Sequence, residues 1–128
     1  MSRLKNLFKK DGNKLIVFIT AGFPKKESTE DLVLQAIEAG ADMIEIGIPF
    51  SDPQADGPII QKASEIALSN GISLPIIFDQ IRSIRKKTDI PIALMGYYNP
   101  ILAYGIDNFL NDCKTSQIDG IILPDLPL

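Results

Sequence analysis

The chain has 128 residues, 45% hydrophobic and 23% charged, which bounds it to one globular domain at most. Sixteen acids outnumber thirteen bases, and the net charge of −3 argues against a nucleic-acid surface. Histidine is absent, which excludes Ser-His and Cys-His catalysis and histidine-ligated metals within these residues. One cysteine, Cys113, excludes an internal disulfide and fits a reducing cytoplasm. No apolar run approaches the ~20 residues of a membrane span, and MSRLKNLFKK lacks an apolar signal-peptide core.

Residues 14–22, KLIVFITAG, are a β-branched and aromatic run closed by glycine and predict a first strand. Residues 27–40 predict a helix. Leu32, Val33, Ala36 and Ile37 recur at helical spacing, Ser28 and Asp31 resemble a capping box, and Gly40 is a natural C′ residue. Residues 41–49, ADMIEIGIP, predict a second strand, apolar on both faces as a helix-covered parallel sheet requires. Residues 57–71 predict a helix with Ile59, Ile60, Ala63, Ile66 and Ala67 on one side. Residues 73–88 predict another, with Ile77, Phe78, Ile81 and Ile84 inward and a basic last turn. Residues 90–96 predict a third strand. Residues 97–116 predict a loop and then a helix through Ile106, Phe109, Leu110 and Cys113, with Cys113 a core residue and not a nucleophile. Residues 118–125 predict a fourth strand. The basic clusters at residues 5–10 and 82–87 read as solvated helix ends. ADMIEIGIP and IDGIILPDLP share an order of Asp, apolar residues, acid and proline, a weak internal echo.

Strands alternating with helices imply parallel pairing with right-handed crossovers. Two α/β architectures satisfy this. One is an open doubly wound sheet of flavodoxin type. The other is a (β/α)₈ TIM barrel, which needs ~250 residues, so that this chain supplies about the first four βα units.

Glu45, Asp52 and Asp56 cluster around the end of the second strand. In either architecture ligands sit at the carboxyl ends of strands. A glutamate desolvated in a strand becomes a proton donor near neutral pH, while an aspartate in a polar loop stays an acceptor or base. The same residues admit plainer readings. Glu45 can be a water-facing edge residue, and SDP and ADGP can be turn chemistry. A three-carboxylate metal site is a third reading, without histidine to support it. The segment PFSDPQADGP also reads as a long loop that opens a helix at Gly57-Pro58, the kind that serves as a lid or partner contact.

EIGIPFSDPQADGPIIQ resembles the signature of the tryptophan synthase alpha chain family and meets it at every fixed position. FITAGFP, GADMIEIG, PIALMGYYNPILAYGIDNFL and DGIILPDLP resemble that family's first four strands and their loops. The resemblance implies a TIM barrel, with residues 1–128 as the N-terminal half of a single domain. It implies a lyase that splits indole-3-glycerol phosphate into indole and glyceraldehyde 3-phosphate. No metal or cofactor is implied in this subunit. The implied partner is a beta chain in an alpha2beta2 heterotetramer, which carries pyridoxal phosphate and receives the indole. The implied location is the cytoplasm.

By position, Glu45 matches the family's catalytic acid and Asp56 the aspartate that bonds the indole N–H. Phe18 and Tyr97 match indole-pocket residues, although both also read as core packing. Asn99 and Asp125 match positions near the mouth, Asn99 also reading as turn chemistry before Pro100. Ser51, Asp52 and Pro53 match a mobile loop facing the beta chain. In the family, the phosphate-holding Gly-rich loops, a threonine loop and a further tyrosine belong to the second half. Within these residues no Gly-rich turn opens a helix in the phosphate-cradling manner. The expectation is that this polypeptide alone is inactive and poorly folded, or needs a partner. The alternative expectation is a non-catalytic half-barrel that docks on or activates a beta-type partner.

Overall fold

The computed structural model describes residues 2–127. In chain order it has α1 (Arg3–Lys9), β1 (Ile16–Thr20), α2 (Ser28–Glu38), β2 (Met43–Gly47), α3 (Pro58–Ser69) and α4 (Leu74–Arg85). Then come β3 (Ile92–Met95), α5 (Tyr98–Tyr104), α6 (Ile106–Thr115) and β4 (Gly120–Ile122). The strands lie in the order β1-β2-β3-β4, all parallel. At the carboxyl ends the ladder runs one step further: Ala21 N–H donates to Gly47 O, Ile48 to Met95 O and Gly96 to Ile122 O.

This consecutive order overturns the flavodoxin-type alternative. A doubly wound sheet reverses its strand order at a switch point and carries helices on both faces. Here alternation along the strands separates two faces. Ile19, Ile44, Ile46, Ile92 and Leu94 join Val33, Phe78, Ile81, Ile84 and Phe109 of the helices in one core cluster. The opposite face carries Phe18, Glu45, Ala93 and Gly120 in a single cross-strand row. Singly wound strands with helices on one side are the arrangement of a (β/α)₈ barrel wall, with that row on the barrel's inner face.

The helical layer is anchored by α4. Ile77, Phe78, Ile81 and Ile84 are each at most 1% exposed, and burying each such side chain contributes roughly 1.5–3 kcal/mol. Phe78 also meets the Phe109 ring edge-on at 5.8 Å, which ties α4 to α6. Gly40 ends α2 with φ +107°, as its sequence position predicts.

Four local expectations fail. Ser28 does not close a capping box: its Oγ accepts from Lys25 N at 3.2 Å, and the N-cap residue is Glu27. Ile59 is 82% exposed, because α3 turns its small residues Ala63, Ser64 and Ala67 inward. Residues 98–104 are helical, not a loop. Pro100 stands third in α5, where its missing N–H removes no intrahelical bond. Ile106 and Leu110 face outward on α6, while Phe109 and Cys113 are buried.

The amino ends of the strands are tied by a repeated device. Asp42, just before β2, accepts the Leu15 amide on Oδ2 at 2.8 Å and donates its own amide to Leu15 O at 2.8 Å. Asp119, just before β4, accepts the Ile92 amide on Oδ2 at 2.9 Å and donates to Ile92 O at 2.8 Å. The echo between the two sequence segments is therefore structural: each aspartate stitches its strand to the preceding one.

Asp119 also pairs with Arg85 at 2.7 Å, both side chains 5% exposed, and with Arg3 of α1 at 3.3 Å. Arg85 is thus no solvated helix end. Burial lowers its guanidinium pKa, and Asp119 opposes that shift.

Candidate active site

β2 carries Glu45 on the inner face, two residues before the strand ends. Its neighbours in the row are Phe18 on β1 and Ala93 on β3. Glu45 is half-buried, and among the described residues none donates to its carboxylate. Phe18 leans toward the carboxyl end: a Cβ on Gly47 would collide with its ring Cζ, so glycine is required for this approach. Phe18 also lines a cavity of about 300 Å³ with Thr20, Phe23, Leu32, Ile59 and Ile60. Glu45, Asp56 and Tyr97 do not line this cavity, and the exposed Ile59 leaves it open to solvent.

After β2 the chain runs through Phe50 and the segment 51–57 to the start of α3. Ser51 and Asp52 are exposed, and Ser51 Oγ donates to Asp52 Oδ2 at 3.2 Å. Pro53 is half-buried. Asp56 closes the segment beside Tyr97, which follows β3. The Tyr97 hydroxyl accepts the Ala55 amide at 3.1 Å. Burial first, and then the Asp56 carboxylate, raise the Tyr97 phenol above 10.0, while the Ala55 amide pulls it down.

Glu45 and Asp56 therefore serve the same end of the sheet: β2 leads from Glu45 into the loop that ends at Asp56. Tyr97 is 3% exposed, with its ring 5.6 Å from that of Phe50. Asn99 is exposed on the first turn of α5. Asp125 accepts the Tyr98 amide on Oδ1 at 3.0 Å, and so caps α5. Asn99 and Asp125 thus both follow strand carboxyl ends, and the contact made by Asp125 is with backbone.

Among the described residues no group of three carboxylate or thiol side chains comes together as a metal site, so the three-acid metal reading gains nothing. Cys113 is buried, and burial pushes its thiol up to about 11, which fits a core residue. No described helix is long and apolar enough to cross a membrane. A second cavity, about 400 Å³, lies between the end of β2, α4 and α5, lined by Ile48, Leu74, Pro100 and Tyr104 among others. None of the predicted site residues lines it.

Two contributors escape a residue-type search. Gln61 donates from Nε2 to the Asp56 carbonyl at 2.8 Å, and Phe50 supplies the ring under Tyr97. Gln61 was visible only as the last fixed position of the signature. Phe50 likewise stood only as the aromatic position of that signature before SDP.

Residues 4–128 match the family model described as the tryptophan synthase alpha chain. The chain belongs to that family. The tryptophan synthase alpha chain of Christiangramia forsetii is 47% identical over 128 residues, covering 100% of this chain and 50% of the relative. That of Caldanaerobacter subterraneus subsp. tengcongensis is 53% identical over 132 residues, with the same coverage.

A crystal structure of tryptophan synthase subunit alpha from Legionella pneumophila superposes with TM-score 0.95 at 42% identity, over 99% of this chain and 50% of that one. A tryptophan synthase complex from Pyrococcus furiosus gives TM-score 0.83 at 47% identity, over 89% of this chain and 47% of that one. The chain spans about half the length of the curated relatives it matches. Its four βα units superpose on TIM-barrel tryptophan synthase alpha chains, as the barrel reading expects.

Proposed function

We propose that these residues form the N-terminal half of a single TIM-barrel domain in a cytoplasmic alpha chain. The whole protein then splits indole-3-glycerol phosphate into indole and glyceraldehyde 3-phosphate. The observation that carries this reading is the place of Glu45, in an inner-face row beside Phe18, on the strand that leads into the loop of Asp56, whose carbonyl accepts from Gln61 Nε2 at 2.8 Å.

The chemistry needs two acids. Indole leaves badly as a carbanion. Glu45 delivers a proton to the ring carbon that bears the side chain, and Asp56 takes the N–H proton, which yields an indolenine. Glu45, now a carboxylate, takes the side-chain hydroxyl proton, the carbon–carbon bond breaks, and its electrons restore the aromatic ring as Asp56 returns the proton to the nitrogen. Each acid contributes roughly 10²–10⁴-fold. The Phe18 ring, next to Glu45 in the inner-face row, supplies an apolar wall that matches the flat indole.

This step draws on no metal or organic cofactor in the alpha chain. Pyridoxal phosphate belongs to the beta chain of an alpha2beta2 assembly, which takes the released indole. The exposed Ser51 and Asp52, with Pro53, offer the surface that faces this partner. A structure of the Pyrococcus furiosus relative is described as an a2b2 complex, which supports the same partner here.

Glu45→Gln in the full-length alpha chain tests the reading. Indole release should fall by at least about 10²-fold while association with the beta chain persists on gel filtration. Full activity in that variant removes Glu45 from its role, and the lyase reading with it.

A further inference from the structure

Tyr97 meets the loop after β2 at both of its ends. Its ring lies against Phe50 at 5.6 Å with a 32° interplanar angle, where the loop begins. Its hydroxyl accepts the Ala55 amide at 3.1 Å and lies beside the Asp56 carboxylate, where the loop finishes. A phenol has one proton to give. With the Ala55 amide occupying the oxygen as acceptor, that proton is free to point at Asp56.

The tyrosine is itself held. It is 3% exposed, and the next residue, Tyr98, gives its amide to Asp125 Oδ1 at 3.0 Å. Beyond Asp56, Gln61 Nε2 donates to the Asp56 carbonyl at 2.8 Å. The end of the loop is therefore held twice, by the Tyr97 hydroxyl at the Ala55 amide and by a helix-borne amide at the Asp56 carbonyl. The contacts run without a gap from the rim of β4, through the start of α5, to the loop of β2.

We propose that Tyr97 is a positioning residue for Asp56: its hydroxyl latches the acid loop to the rim of β3 and aims the carboxylate inward. The role in catalysis rests on the lyase reading above. The mechanical role does not. A carboxylate with one oxygen engaged by a phenol presents the other in a set direction, which a substrate N–H requires. An indole wall alone would need only the ring of Tyr97, whereas the latch needs its oxygen.

Tyr97→Phe separates the two, because it keeps the ring on Phe50 and removes only the oxygen. The first readout needs no chemistry. Amide hydrogen exchange at Ala55 should quicken by roughly tenfold or more in Tyr97→Phe, with the thermal midpoint little changed. The second is a double-variant cycle in the full-length alpha chain. Tyr97→Phe should lower kcat by roughly 10- to 100-fold, the worth of a hydrogen bond to a charged group, with KM nearly constant. On an Asp56→Asn background it should cost almost nothing further. Unchanged exchange at Ala55, or losses that multiply in the double variant, overturns the latch. Undiminished activity in Glu45→Gln overturns the lyase reading instead, and the exchange result still decides the latch.

Discussion

Replacing Asp119 by asparagine tests the anchoring at the amino ends of the strands. The carboxylate serves three partners: Arg85 at 2.7 Å, Arg3 at 3.3 Å and the Ile92 amide at 2.9 Å. Asparagine keeps the shape and one acceptor oxygen, so the Ile92 amide can stay satisfied. What it loses is the charge beside Arg85, whose side chain is 5% exposed. Removing one member of a buried pair costs about 3–5 kcal/mol, because the other charge is left without compensation. With a urea slope of about 2 kcal/mol per molar, the midpoint should fall by roughly 2 M. The assay is equilibrium urea unfolding followed by circular dichroism. Lys62→Ala, which breaks an exposed pair with Glu65, is the control and should barely move the midpoint. A shift in Asp119→Asn no larger than that of the control would refute the buried-charge argument.

Two more outcomes follow from the titrating groups. Burial holds the Cys113 thiol near 11, up from 9.0, so alkylation at pH 8 should be roughly a hundredfold slower than in the urea-unfolded chain. Equal rates would place Cys113 at the surface. The Lys87 ammonium, and after it the Ser83 hydroxyl, hold the Glu30 carboxyl below 4.5. A depressed folded-state value contributes stability that is present above pH 4.5 and is lost as pH falls through the folded value. Stability measured below pH 4.5 should therefore drop less steeply in Glu30→Gln, and a superimposable pH curve would contradict the pairing.

The sequence patterns that proved readable were those whose causes are local. In α4, Ile77, Phe78, Ile81 and Ile84 repeat with the helical period, and all four are buried. β2 is apolar on both faces except at Glu45, and that single interruption marks the inner row. The readings that failed depended on distant partners. Arg85 looked like a solvated helix end because Asp119 lies 34 positions away in the chain. Ile59 looked like core because nothing in its period reveals that Ala63 and Ala67 set the face of α3.

Pro100 misled for a different reason: a proline marks a turn or a helix start with equal ease, and only the carboxylate of Asp125 on the Tyr98 amide decides which. In the candidate site, the place of Glu45 on the second strand and of Asp56 in the loop after it was legible from residue type and position. The hydroxyl of Tyr97 and the amide of Gln61 were not, because their targets are backbone atoms of another loop.

The Asp42 and Asp119 stitches lie below the strands, and Tyr97 and its loop lie above them, separated by the five residues of β2, about 16 Å of extended chain. Foundation and workshop thus occupy different storeys of one building. A protein engineer can rewrite the upper storey, lengthening or swapping rim segments for a new ligand, without touching the fastenings that keep the walls upright.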